Sequence, residues 1–102
     1  MNLPIPAPLP DSPLNIMHRL GYSEHINRES GERSFTRRLR GDFYPRYHVY
    51  IDERHGGMTV KLHLDQKKPS YAGAHAHSGE YEGPLIEKEI ERIKSFVFQM
   101  RP

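Results

Sequence analysis

The stretch from Tyr47 to Asp65, YHVYIDERHGGMTVKLHLD, constrains this chain more than any other, because one pattern sets secondary structure, pairing and facing together. Val49 and Ile51 alternate with His48, Tyr50 and Asp52. Met58, Val60, Leu62 and Leu64 alternate with Thr59, Lys61, His63 and Asp65, the period of two expected of half-buried strands. Gly-Gly is a favoured two-residue turn, since glycine reaches positive φ without a Cβ clash. With Gly56 and Gly57 as the turn, His55 is expected opposite Met58, Ile51 opposite Leu62 and Val49 opposite Leu64. The polar face then pairs Asp52 with Lys61, Tyr50 with His63 and His48 with Asp65. A slip by one residue would send every apolar side chain to the wrong face.

The rest of the chain is placed around this hairpin. Prolines 4, 6, 8 and 10 keep residues 1–12 extended, as an arm or surface-draped terminus. Ser12 is expected to cap a helix of about two turns that opens at Pro13, carries Leu14, Met17 and Leu20, and stops at Gly21. Tyr22 to Arg33 is polar without a sustained period and is expected to be a loop. Ser34 to Arg40, SFTRRLR, alternates as a strand, with Arg37 on the core side, and Gly41 to Pro45 supplies a turn. Pro84 opens a C-terminal helix, PLIEKEIERIKSFVFQM, whose stripe of Ile86, Ile90, Ile93, Val97 and Met100 should cover the apolar sheet face. Glu87 and Glu89 suit its positive N-terminal end.

The expectation is an α+β domain over 13–102: a three-stranded antiparallel meander, the C-terminal helix packed on one face, a short N-terminal helix, and a long loop at 66–83. The α-β-β-β-α order is shared with the double-stranded-RNA-binding module. However, Glu80, Glu82, Glu87 and Glu89 surround the second helix's start, where that module carries basic residues, and the chain is not assigned to it.

A chain of 102 residues with 35% apolar residues, nine prolines and eight glycines supports one modest core. The absence of cysteine removes disulfides and thiolate metal sites. No basic segment followed by an apolar run opens the chain, and no stretch approaches a membrane span, so a soluble, cytoplasmic protein with no membrane partner is expected. The formal charge of +2 is unevenly spread, because residues 1–46 hold seven arginines and no lysine against five acids.

Two candidate sites follow. On the polar sheet face, Arg38, Arg40, Tyr50, Lys61 and His63 combine cations with an aromatic ring, the makings of a surface for RNA or single-stranded DNA. In the 66–83 loop, His75 and His77 with Glu80 or Glu82 form a candidate divalent-metal cluster, with His63 as a further nitrogen donor. A small nucleic-acid-binding module is the leading expectation. The alternatives are a divalent-metal-binding protein or metal-dependent hydrolase, and an interaction subunit that forms homo-oligomers through the proline-rich arm or Phe98. No glycine-rich phosphate loop, nucleophile elbow or triad geometry is present, so binding is expected ahead of catalysis.

Overall fold

The central hairpin forms, but two residues out of the expected register. In the computed structural model, which describes residues 1–66, 79, 80 and 82–100 (backbone alone for 79 and 80), β4 (Arg46–Arg54) pairs antiparallel with β5 (Gly57–Asp65). Val49 faces Leu62, Ile51 faces Val60 and Arg54 faces Gly57. The turn is His55-Gly56, with φ of +53° and +80°. Positive φ at both positions is the type I′ shape, whose twist matches the strands, and histidine is among the residues that enter this region more readily. Gly57 has a different task. A Cβ there would stand 2.6 Å from the Ile5 carbonyl oxygen and 3.0 Å from the Ala7 nitrogen, so it is glycine because the N-terminal segment crosses against it. An even shift preserves parity, and both faces keep their expected residues.

The expected three-stranded meander is larger. Asn2–Ile5 is β1, an edge strand that pairs with β5 and places Leu3 opposite Val60 and Ile5 opposite Met58. Asn2–Ile5 of the proline-rich segment thus belong to the sheet. The stretch expected as a loop contains β2 (Ser23–Ile26), an edge strand on β3 (Arg33–Arg38). All four β2 residues are exposed, which is why no apolar alternation announces it. Its turn is built by Asn27, whose Oδ1 accepts from the amides of Glu29 and Ser30, and by Gly31 at φ +74°. β6 (Gly79–Glu80) pairs with Leu64 and Asp65 beyond β1. The antiparallel order is β1-β5-β4-β3-β2, with β6 also on β5.

Both helices lie on the apolar face. α1 (Pro13–Arg19) is capped by Ser12 Oγ, which accepts from the Asn15 amide at 3.2 Å. Its end is a Schellman turn: the amides of Gly21 and Tyr22 donate to the carbonyls of His18 and Met17 across Gly21 at φ +96°. α2 (Pro84–Met100) buries Ile86, Ile90, Ile93 and Val97 against Val49, Val60, Leu62 and Leu64. Ile51, expected in the core, is half-buried beside Pro13, Leu14 and Phe35.

The expected role of Glu89 is to serve the helix dipole, yet it is 2% exposed and ties α2 to β3 and to the turn after α1. Arg92 donates to both its oxygens at 2.8 Å, Arg37 of β3 donates at 3.1 and 3.3 Å, and the Tyr22 hydroxyl donates at 2.5 Å. Arg92 also donates to the Leu20 carbonyl at 2.9 Å. Burial raises the Glu89 carboxyl, but the hydrogen bonds from Arg92, Arg37 and Tyr22 outweigh it and hold it below its ordinary value. The Schellman turn is what points Tyr22 inward, so a local cap and a buried ion network are parts of one device.

Candidate functional site on the polar sheet face

Parity places Arg46, His48, Tyr50 and Asp52 of β4, with Lys61, His63 and Asp65 of β5, on the face away from the helices. The register sets His48 opposite His63, Tyr50 opposite Lys61 and Arg46 opposite Asp65. The expected direct pairs survive as diagonals. His48 Nδ1 lies 3.0 Å from Asp65 Oδ2, Lys61 Nζ lies 3.9 Å from Asp52, and the rings of Tyr50 and His63 stack at 5.9 Å.

Asp65 is the centre of this face. Its Oδ1 meets His63 Nε2 at 2.9 Å, while Oδ2 meets His48 Nδ1 and also accepts from Arg46 Nε at 3.2 Å. Burial raises the carboxyl, but the hydrogen bonds from both histidines, with their charge, prevail and hold it well below the carboxylate range. Around it, His48 packs 4.7 Å from His63 and 4.7 Å from Tyr50, centroid to centroid. His48 is buried, and the side chains of His63 and Asp65 are each 16% exposed. A freely solvated strand face would leave such groups open, so this part of the sheet is an organised polar cluster. The sequence hid the joint role of His48, His63, Asp65 and Arg46, because the Gly-Gly register spreads them over different pairs.

The cluster grades into a cationic margin. Arg38 ends β3 opposite Arg46, and both guanidinium groups lie over the Phe43 ring, at 4.5 and 5.2 Å. Arg46 also lies 4.9 Å from the Tyr44 ring. Phe43 is 54% exposed. Among the described residues, neither Arg38 nor Arg40 has a carboxylate in ion-pair range. Phe43 was overlooked as a ring for this surface because its turn position carries no strand parity.

Of the five residues expected on the nucleic-acid surface, Arg38, Tyr50, Lys61 and His63 share the polar face, while Arg40 lies exposed just past β3. Of the expected metal set, His75 and His77 fall outside the described residues, as does the Glu80 side chain. Glu82 is exposed ahead of α2. Phe98 projects outward, 66% exposed, beside a groove that also contains Leu3 to Pro6 of the arm. Among the described residues, no helix is long and apolar enough to cross a membrane. The chain matches no protein-family model, no curated protein and no solved structure.

Proposed function

We propose that the protein binds single-stranded nucleic acid across the polar sheet face, with Arg38, Arg40 and Lys61 meeting phosphates and Phe43 stacking on a base. The observation that carries this reading is the exposed Phe43 ring, flanked by the guanidinium groups of Arg38 and Arg46 at 4.5 and 5.2 Å. Arg46 is held by Asp65, whereas Arg38 has no carboxylate in ion-pair range among the described residues, so the ring offers a base a stacking surface beside a cation available to the backbone. Tyr50 enters this reading differently from the sequence expectation. Its ring packs against His48 and His63, so it extends the platform rather than forming one alone.

The test is fluorescence anisotropy with labelled oligo-dT and oligo-rU across a salt series. Affinity is expected to fall linearly on logarithmic axes as neutralised phosphates release counterions. Arg38→Glu with Arg40→Glu should lower that slope by about 1.4, from about 0.7 for each lost phosphate contact on a single strand. Phe43→Ala should weaken binding by about 1–3 kcal/mol, the range for loss of one stacked base. Absence of binding to either strand at low salt would overturn the reading.

A further inference from the structure

The structure assigns a divalent transition-metal site to His48, His63 and Asp65. This goes beyond nucleic-acid binding and does not depend on it. The three side chains sit on β4 and β5, the two strands at the centre of the sheet order, and one ligand atom from each lies within 4.8 Å of the others. Donors about 2.0–2.1 Å from a tetrahedral ion stand about 3.4 Å from one another. His48 Nδ1 and His63 Nε2 already stand 3.0 and 2.9 Å from the two oxygens of Asp65. An ion replacing the protons that now bridge these atoms requires only small side-chain rotations.

The donor types narrow the ion. Two imidazoles and one carboxylate suit zinc, cobalt, iron or manganese, whereas magnesium and calcium take oxygen shells. Three protein ligands also leave a coordination position open. The surroundings supply what such a set needs around it. Arg46 donates to Asp65 Oδ2 at 3.2 Å and fixes the carboxylate's direction, and the Tyr50 ring stacks on both imidazoles.

Among the described residues, the His48 ring is hydrogen-bonded through Nδ1 to Asp65, which also meets His63 Nε2, so both imidazoles converge on one carboxylate. This donor set differs from His75, His77, Glu80 and Glu82, and it lies wholly on the sheet.

The test uses the full chain, stripped with chelator and then titrated with Zn²⁺ by calorimetry and with Co²⁺ by visible absorption. One equivalent per chain is expected, with the d–d bands of a four- or five-coordinate cobalt centre. His63→Gln and Asp65→Asn should each weaken uptake at least about tenfold, while His75→Ala with His77→Ala should leave it unchanged. Should the first two variants fail to fold, ring-nitrogen spectra of the wild type decide. Zn²⁺ must shift the resonances of His48 and His63 and spare His18 and His25. No uptake by the wild type, uptake undiminished in folded His63→Gln and Asp65→Asn, or shifts confined to other histidines would each overturn the assignment.

Discussion

Glu89 concentrates more of the fold's electrostatics than any other side chain described, because two arginines and a phenol converge on a carboxylate that is 2% exposed. Removing one partner of a buried pair costs about 3–5 kcal/mol, and the partial exposure of Arg37 and Arg92 sets Glu89→Ala near the low end, at about 3 kcal/mol. Chemical denaturation of the variant beside the wild type measures this. The pH dependence has a definite sign. The folded carboxyl titrates below its ordinary 4.5, so its contribution is complete above that value and is lost as pH falls through the lowered one. Glu89→Ala should therefore show a flatter loss of stability than the wild type below pH 4.5. Gly57 is the second residue under tight constraint, since an added Cβ meets backbone atoms of residues 5, 6 and 7. Gly57→Ala should destabilise by about 1–3 kcal/mol through overpacking and loosen β1, seen as faster hydrogen exchange at the amides of Leu3 and Ile5, which face β5.

Among the elements, the β4–β5 hairpin shows how a correct pattern can accompany an incorrect register. The alternation in 47–65 correctly assigned every side chain to its face, because a shift of two residues leaves parity intact. The turn chemistry was ambiguous. Both His55-Gly56 and Gly56-Gly57 close two-residue loops, and only the crossing of Ile5 and Ala7 over Gly57 separates them. That contact is long-range and leaves no local trace in the sequence. Asn-Gly is the preferred type I′ pair, so His55→Asn should raise stability by about 0.5–1 kcal/mol in thermal or urea melts. A neutral outcome would favour the Gly56-Gly57 turn instead. The apolar stripe of α2 was legible because it repeats over 17 residues, whereas the burial of Glu89 beside it was not, since its partners come from β3 and the turn after α1. Ile93 is fully buried, and Ile93→Ala should cost about 2–5 kcal/mol. The edge strands were not legible. β2 buries nothing, and β1 is interrupted by Pro4, whose missing N–H an edge strand tolerates.

For the molecule as a whole, the division of labour runs between two sides of one antiparallel sheet. Helices α1 and α2 with the apolar side chains of β1 and β3–β5 make the core, while the opposite side gathers imidazoles, guanidinium groups, one lysine, the half-buried Tyr50 and the exposed Phe43 ring. The sequence pointed to that polar side through parity, and to Arg38, Tyr50, Lys61 and His63 on it. Its inner organisation, with Asp65 between His48 and His63, and Phe43 between Arg38 and Arg46, depends on register and turn geometry that only the folded chain supplies. This side is the proposed nucleic-acid surface. The most direct test is a map of backbone amide shifts as oligo-rU is added to the isotope-labelled full chain at low salt. The expected result is a set of perturbations confined to the end of β3, the turn through Phe43, and the polar positions of β4 and β5, with α2 unaffected. Shifts centred on α2 and the groove beside Phe98, or none anywhere, would contradict the account.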